Sequence, residues 1–161
     1  MQGSVEAIYI SDTKGRPMIA VETVRALAGR GLEGDRYCRA GEPTAKQGPD
    51  REATLIEAEA IEALPRDEEI PFEPGESRRN LVTRGVALNH LVGRDFRVGG
   101  VRMRGLRLCE PCKHLQGMTR PGVMKALLHR GGLRAQILDD GPIRVGDEVE
   151  TLGVVTSGVA S

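Results

Sequence analysis

Two closely spaced cysteines are the first feature of this sequence that is suited to chemistry. Residues 107–115, RLCEPCKHL, hold Cys109 and Cys112, and Lys113 and His114 follow directly. Such a pair can bind zinc, form a reversible disulfide, carry sulfur or a soft metal on a thiolate, or simply pack in a core. All four roles are physically open to these residues.

The zinc and redox interpretations lack supporting residues. A structural zinc takes four ligands, usually as two close pairs. Cys109, Cys112 and His114 offer three ligands and Cys38 a fourth, but there is no second pair. A thioredoxin-like pair begins a helix in a βαβ unit, whereas this pair follows a predicted strand. Structural zinc and a reversible disulfide therefore stay open as alternatives.

Cys112 is the cysteine that the sequence favours for chemistry. Pro111 cannot continue a central strand, so we expect the chain to leave the sheet there and to place Cys112 on a loop or rim. Lys113 and His114 supply positive neighbours, which favour a thiolate over a thiol. A thiolate is a nucleophile, a persulfide carrier and a ligand for soft metals. For the other two cysteines, packing is the stronger interpretation.

The composition narrows the class of protein. The chain has 161 residues, with 23 basic and 23 acidic side chains, so its net charge does not attract nucleic acid. With two Phe, two Tyr and no Trp, it also has few aromatic rings on which bases could stack. No run of apolar residues suits a membrane span, and the first residues lack the pattern of a signal peptide. Three cysteines suit a reducing compartment. We expect a single cytoplasmic domain over 1–161, with a frayed tail at 153–161.

Glycine and proline divide the sequence into short apolar runs. With 21 Gly and nine Pro, the pattern is typical of many short strands. A strand that begins at Ala53 is predicted to pass into a helix that Pro65 stops. Residues 38–50 are predicted to form a polar loop, either an active-site lid or a disordered segment. Further predicted strands are 4–10, 17–23, 77–85 and 95–100.

The sequence patterns from Gly105 onward, together with the strands above, indicate the fold class. The apolar phase flips at Gly105, which predicts a bulge at Arg104–Gly105. A helix is predicted over 121–132, followed by a hairpin around Asp140–Gly141 and a turn at Gly146–Asp147. These elements predict a mainly β, β-rich α+β fold: a closed or nearly closed β-barrel with a few short helices. The apolar face of the predicted helix comprises Val123, Met124, Leu127 and Leu128.

Five segments in order resemble the MOSC domain, the family named for the C-terminal domain of molybdenum-cofactor sulfurase. They are GRGLEGDRY, TLIEAEAIEAL, RRNLVTRGVALNHLVGRDFRVGG, CEPCKHL and GGLRAQILDDGPIRVGDEV. The resemblance covers a core of about 24–152 and implies a MOSC-type barrel. It also implies that Cys112, in a Pro-Cys motif, carries sulfur as a persulfide or ligates the molybdenum of a pterin cofactor.

The resemblance further implies a cradle for the anionic cofactor. Arginines and backbone N–H groups suit its phosphate and its dithiolene-bound metal. The family often has an arginine where this chain has Cys109, so that contact is in doubt. Cys109 and His114 are therefore possible auxiliary residues beside Cys112. The positions that match the motifs are Arg36, Arg51, Arg79, Asn80, Lys113 and Arg134.

The function expected from this resemblance is work on the molybdenum cofactor. The protein either binds the cofactor (molybdopterin) through the thiolate of Cys112 for reductive chemistry on a small-molecule substrate, or carries sulfur as a persulfide without any cofactor. The expected partners are a pyridoxal-phosphate-dependent sulfur donor or an electron-transfer protein, with no nucleic acid and no membrane. The alternative is a non-enzymatic binding module with structural or zinc-bound cysteines.

Overall fold

Short strands dominate the computed structural model, which describes residues 2–13, 15–38, 49–110, 117, 119 and 121–154. Short 3₁₀ turns at Pro49–Arg51, Pro74–Ser77 and Leu88–Leu91 connect some of the strands. In the described residues the helices are α1 (Ala58–Asp67) and α2 (Val123–Ala126). The strands are β1 (Gln2–Ile10), β2 (Ile19–Val21), β3 (Thr23–Leu27), β4 (Gly31–Leu32), β5 (Ala53–Glu57), β6 (Leu81–Arg84), β7 (Arg94–Val98), β8 (Val101–Leu108), β9 (Leu133–Ile137), β10 (Gly141–Arg144) and β11 (Glu148–Val154).

Seven strands close into a barrel in the order β11-β7-β8-β9-β5-β6-β1, and β11 pairs with β1 to complete the circle. All of these pairs are antiparallel except β5 with β6. β2 extends the sheet from β1, and β10, β3 and β4 form a separate three-stranded sheet. The predicted closed, mainly β barrel is confirmed. No helix among the described residues has the length and apolar character that a bilayer span requires.

Two groups of buried side chains stabilise the fold. The larger fills the barrel, where Phe96, Met103 and Leu133 are fully buried. The smaller lies where α1 and α2 pack on the sheet, with Ile61 and Leu127 among its members. Strand β9 shows how the sequence produces this arrangement, since its residues alternate between buried and half-buried. Burial of apolar area is the main favourable term in both groups.

The predicted bulge in β8 is present one residue later than expected. Gly105 pairs with Ala135, but the next pair joins Arg107 to Arg134, so β8 holds one extra residue there. Gly105 also lies against Leu91, where an added Cβ would come within 2.0 Å of the carbonyl oxygen. The glycine thus lets a neighbouring loop approach the backbone of the barrel at the bulge.

The prediction that Pro65 stops the first helix is wrong. α1 continues through Pro65 to Asp67. A proline removes one donor from the helix ladder. Here the next turn still closes across it, because the N–H of Glu68 donates to the carbonyl oxygen of Leu64 at 3.1 Å. Leu64 is itself buried, so its packing holds the last turn against the sheet.

The helix predicted over 121–132 is also much shorter than expected. Past α2 the chain makes tight turns, such as the bond of 2.8 Å from the Arg130 N–H to the Leu127 carbonyl oxygen. His129 has a left-handed φ of 63°, which an α-helix cannot include. The carboxylate of Glu110 accepts the His129 backbone N–H at 2.8 Å, which removes this donor from a helix ladder.

The apolar face predicted for this helix is only partly correct. Val123 and Leu127 are fully buried against the sheet. Met124 is half-buried, and Leu128 is 53% exposed. Because the helix ends early, Leu128 does not continue the buried stripe.

The hairpin predicted around Asp140–Gly141 is not formed. β9 pairs with β5 and β8, whereas β10 crosses to β3 in the separate sheet. Asp140 instead accepts the backbone N–H of Ala28 at 2.7 Å, which fixes the start of β10 beside the end of β3. The turn predicted at Gly146–Asp147 is present between β10 and β11, closed by a bond of 3.0 Å from the Asp147 N–H to the Arg144 carbonyl oxygen.

Gly105→Ala tests the close approach at the bulge. We expect it to lower the free energy of unfolding by about 3 kcal/mol, because the new methyl group overlaps a backbone carbonyl that the barrel holds in place. Gly100→Ala is the matched control, since a Cβ there meets nothing within 4 Å, and we expect a change within about 0.5 kcal/mol. Urea unfolding measures both. Equal effects of the two substitutions would contradict this reading of the bulge.

Candidate functional site

The predicted reactive segment begins directly after β8. Cys112, Lys113 and His114 lie outside the described residues, so their roles stay predictions. Cys109 is described: its thiol is free and the residue is 2% exposed. Its backbone N–H donates to the carbonyl oxygen of Gly132 at 2.7 Å. Cys109 is therefore a buried anchor at the start of the segment.

Arg79 holds the backbone around this anchor. Its Nε donates to the carbonyl oxygen of Gly131 at 2.7 Å, and its Nη2 donates to that of Cys109 at 3.1 Å. One planar guanidinium thus joins two chain segments, which a flexible ammonium group cannot do as well. Arg79 was predicted to contact a cofactor, and the structure shows that these two donors bind protein carbonyls. It positions the chain that leads to the Pro-Cys motif.

Glu110, on the exposed side, also holds the chain where it enters the Pro-Cys motif. Glu110 accepts the backbone N–H of His129, and its other oxygen lies 2.9 Å from Nδ1 of the same histidine. Asn89 donates through Nδ2 to the His129 carbonyl oxygen at 2.9 Å. The chain entering the motif is therefore held both by Arg79 and by Glu110. No sequence pattern indicated Glu110, because its partner lies on a turn that was predicted to be helical.

Asn80 joins two strands of the barrel. Its Oδ1 accepts the backbone N–H of Thr54 at 3.2 Å and the Thr54 hydroxyl at 3.1 Å. Its Nδ2 donates to the Tyr9 carbonyl oxygen at 3.1 Å. Asn80 is buried, so both ends of its amide serve the fold at the junction of β5 and β1.

Arg36 is buried among protein acceptors. Its side chain is 8% exposed, and Nη1 lies 3.1 Å from Oδ1 of Asp35 and 3.2 Å from Sδ of Met18. Nη2 donates to the carbonyl oxygen of Arg78 at 3.3 Å. Arg36 therefore supports the backbone of Arg78, a residue that sequence reasoning did not single out.

Arg78 lines a cavity of about 570 Å³. Tyr9, Met18, Glu73 and Thr119 also contribute to its wall, and Thr119 follows the Pro-Cys motif in the chain. Burial, followed by the charge of the nearby Arg36 guanidinium, lowers the pKa of Arg78. Burial and the charge of Glu73 raise the pKa of Tyr9, so its hydroxyl remains a neutral donor. The wall of the cavity thus includes a cation, a tyrosine, the carboxylates of Glu73 and Glu76, and apolar groups.

The other two predicted cradle residues lie in a second polar group. The guanidinium of Arg51 lies over the ring of Tyr37 at 5.3 Å, and that of Arg36 lies over the same ring at 4.7 Å. Arg134 donates through Nη1 to the carbonyl oxygen of Asp50 at 3.3 Å. Contacts therefore run from the cavity through Arg36 and Tyr37 to Arg51 and its neighbours.

Glu52 is a buried carboxylate that sequence reasoning missed. It is 7% exposed, and its Oε1 accepts the N–H of Ile137 at 2.8 Å. Burial raises its pKa, although hydrogen bonds from the backbones of Ile137 and Gly29 act in the opposite direction. The only signal in the sequence was a charged residue directly before the apolar run ATLI.

The described residues do not include a formed metal site. Among them, no group of three or more His, Cys, Asp or Glu side chains is arranged to hold a metal ion. Both described cysteines, Cys38 and Cys109, have free thiols. The zinc interpretation requires Cys112 and His114, which lie outside the described part of the chain.

Comparison with known proteins identifies a family and a fold. The family model described as "MOSC domain" matches residues 42–150. No curated protein matches the chain in sequence.

Solved structures share the fold at low sequence identity. YuaD from Bacillus subtilis is 18% identical, with a TM-score of 0.77 over 94% of this chain and 96% of its own. YiiM from Escherichia coli is 22% identical, with a TM-score of 0.69 over 97% of this chain and 72% of its own. YiiM from Geobacillus stearothermophilus is 17% identical, with a TM-score of 0.69 over 98% of this chain and 77% of its own.

Arg79→Lys tests whether Arg79 holds the backbone at Cys109 in place. We expect the amide of Cys109 to exchange with deuterium about tenfold faster, because an ammonium group cannot hold both carbonyls and the local bond to Gly132 opens more often. Arg66→Lys is the control, since Arg66 is exposed and its described ion pair is with the neighbouring Asp67, far in sequence from Cys109. Unchanged exchange at Cys109 would contradict a positioning role for Arg79.

Glu52→Gln tests the buried carboxylate. Because the pKa of Glu52 is raised, its carboxyl group holds a proton more tightly in the folded state than in the unfolded chain. The free energy of unfolding therefore falls as the pH rises above 4.5, the ordinary pKa of this group. We expect Glu52→Gln to flatten this slope in urea unfolding between pH 4.5 and neutrality. Glu22→Gln, at an exposed position, is expected to keep it. If Glu52→Gln keeps the wild-type slope, the buried carboxyl of Glu52 is not the cause of this pH dependence.

Proposed function

This chain belongs to the MOSC domain family, and we propose that it acts on the molybdenum cofactor or on the sulfur of that cofactor through the thiolate of Cys112. The family is associated with proteins of the molybdenum cofactor. Cys112 occupies the Pro-Cys motif on which the family resemblance depends. Neighbouring Lys113 and His114 favour its ionised form.

The cavity beside Arg78 is the main observation that supports binding of a small molecule. Its volume of about 570 Å³ lies in the range of small-molecule sites. Its wall brings together Arg78 from the turn after Pro74–Ser77 and Thr119 from the chain that follows Cys112. A thiolate that works on a bound molecule needs a cavity of this kind, whereas a purely structural cysteine does not.

The described arginines fit an anionic group in part. Arg36, Arg79 and Asn80 direct the donors described above to protein acceptors. Arg134 differs, because its Nε is buried and has no hydrogen-bond acceptor among the described residues. A buried donor without an acceptor is costly, and a bound anion would satisfy it. We therefore assign Arg134 to the cofactor. Arg51, whose guanidinium lies over the Tyr37 ring, and Arg78, which lines the cavity and whose Nη1 donates to the carbonyl oxygen of Arg16 at 2.7 Å, are assigned with it.

In the cofactor-binding form of the proposal, the chain supplies orientation and charge. Arg79 and Glu110 fix where the chain enters the motif, and so limit where Cys112 can lie. Arg78 and Tyr9 line the cavity, and we assign to them the binding of an anionic substrate or cofactor, although Nη1 of Arg78 also donates to the carbonyl oxygen of Arg16 at 2.7 Å. When bound, the molybdenum cofactor supplies two-electron redox chemistry, and electrons then come from an electron-transfer partner.

In the sulfur-carrier form, no cofactor is needed. The Cys112 thiolate attacks the outer sulfur of a persulfide on a pyridoxal-phosphate-dependent donor. A new sulfur–sulfur bond forms on Cys112, the bond within the donor persulfide breaks, and the donor cysteine leaves as a thiolate. Buried Cys109 lies three positions away in sequence and is the thiol available to resolve the persulfide. We place either reaction in the cytoplasm, where thiols stay reduced.

Elemental analysis and intact-protein mass spectrometry test the proposal. The protein is purified rapidly from cells that make the cofactor, as wild type and as Cys112→Ala. We expect the wild type to carry molybdenum, or else an added mass of about 32 Da on Cys112, and the variant to lose at least about tenfold of either signal. Molybdenum supports cofactor binding, and the added sulfur supports the carrier form.

Cys38→Ala is the matched control, because this half-buried cysteine lies beside Gly31 rather than in the motif. It is expected to keep both signals. The alternative of a non-enzymatic module predicts neither molybdenum nor added sulfur. In that case bound zinc, lost together with stability in both Cys109→Ala and Cys112→Ala, would replace the present proposal.

A further inference from the structure

Among the described residues, β2 has one edge that no other strand covers. It pairs with β1 on one side, and the sheet ends with β2 on the other. Tyr9 of β1 bonds away from β2, since its N–H donates to the carbonyl oxygen of Asn80 at 2.7 Å. Backbone groups alternate in direction along paired strands, so those of Ile19 and Val21 face β1. The N–H and carbonyl of Ala20 therefore face outward, on the free edge of β2.

The free edge is apolar, uncharged and short. Residues 17–21, PMIAV, contain no charged side chain, whereas exposed edge strands are commonly protected by charges. Ile19 is 62% exposed, although Val21 on the same face of the strand packs against the barrel core. The edge ends at Glu22, because the carbonyl oxygen of Glu22 accepts the Val145 N–H at 2.9 Å. By alternation, Met18 and Ala20 are thus the residues whose backbone groups face outward along it.

We propose that the free edge of β2 pairs with the same edge of a second copy of the chain, antiparallel and about a twofold axis at Ile19. Met18 then lies opposite the partner's Ala20, so that the outward backbone groups of both chains bond to each other. The two Ile19 side chains lie directly opposite each other on one face of the joined sheet, and each covers the other. Pro17 falls opposite the partner's Val21, at a position where no outward N–H is needed.

Charge complementarity favours a second copy as the occupant of this edge. In the same register Arg16 lies opposite the partner's Glu22, and by symmetry Glu22 lies opposite the partner's Arg16. Both residues are exposed, and the ion pairs among the described residues involve neither of them. An axis at Ala20 would instead place Glu22 opposite the partner's Met18 and would lose both contacts. The charges that flank the edge thus match the register that pairs the two Ile19 side chains.

The contact is small, so the dimer is expected to be weak. Two short edge strands and one apolar contact bury less than the roughly 1,200 Å² of a stable complex. We therefore expect a dissociation constant of about 1–100 µM. Pro17 and Met18 also line the cavity beside Arg78, so one segment forms both the dimer edge and part of the cavity wall. The inference does not rest on the proposed function, since the contact does not involve Cys112.

Sedimentation velocity of the whole chain at concentrations from about 1 to 500 µM tests the dimer. We expect the wild type to change from monomer to dimer over this range. Arg16→Glu and Glu22→Arg are each expected to weaken association about tenfold, because both charge contacts across the axis become repulsive. An equimolar mixture of these two variants is expected to associate about as tightly as wild type, since opposite charges then face each other at both positions. The mixture thus tests the register without changing the apolar edge.

Ile19→Glu tests the apolar contact at the axis, and Leu128→Glu is its matched control, since both residues are exposed and apolar. We expect Ile19→Glu to weaken association at least about tenfold, because like charges then lie directly opposite each other. Leu128→Glu is expected to keep the wild-type constant. Hydrogen exchange reports the contact in wild type, even where a variant folds poorly. The Ala20 amide should exchange about threefold more slowly at the highest concentration than at the lowest, and the Val21 amide should change little.

A wild type that stays monomeric up to about 500 µM would overturn the proposal and would leave the edge to a strand of another protein. A mixture of the two charge variants that fails to associate would overturn it too. Loss of the dimer in Leu128→Glu would place the contact elsewhere on the chain. Cys112→Ala is expected to leave the dissociation constant unchanged, so failure of the proposed function and failure of the dimer are separate results.

Discussion

Closure of the barrel depends on one strand with three partners. β1 pairs through Gln2–Ser4 with β11, through Ser4–Ile8 with β6 and through Ile8–Ile10 with β2. A register shift between Val5 and Ala7 lets the strand turn from one partner to the next. Asp147 reinforces the closing seam, since its carbonyl oxygen accepts the Val5 N–H at 2.8 Å. With the barrel shut, the strand ends and loops can hold polar groups in fixed relative positions.

Local sequence was enough to predict features that depend on alternation along one strand. The phase flip at Gly105 predicted a bulge because successive side chains point to opposite faces, and this rule needs no knowledge of the partner strand. The closed barrel was predicted from the spacing of Gly and Pro together with the family resemblance. The hairpin at Asp140–Gly141 failed for the opposite reason. The partner of β10 is β3, which is distant in sequence, and the bond from the Ala28 N–H to Asp140 supports this pairing from outside the ladder.

The same limit applies to the candidate site. Family motifs pointed to Arg79 and Asn80, but their described contacts are with carbonyl groups of the fold and with Thr54. Alternation could not show that the neighbouring Arg78 lines the cavity, because that depends on how the 3₁₀ turn at Pro74–Ser77 ends. The early end of α2 was likewise hidden, since it depends on the carboxylate of Glu110 from another part of the chain. Tertiary contacts decided each of these cases.

The backbone of Arg78 has a consequence for how this protein can drift in sequence. Arg78 holds a left-handed conformation, with φ 60° and ψ 24°, where a side chain costs about 1 kcal/mol relative to glycine. Glycine would relax that turn, but it would also delete a cation from the cavity wall. Glycine would also remove the hydrogen bond of 2.7 Å from Nη1 of Arg78 to the carbonyl oxygen of Arg16, which offsets the relief of the backbone. A left-handed arginine at this position is thus held by two demands at once, the cation in the cavity wall and the bond that joins the turn to Arg16.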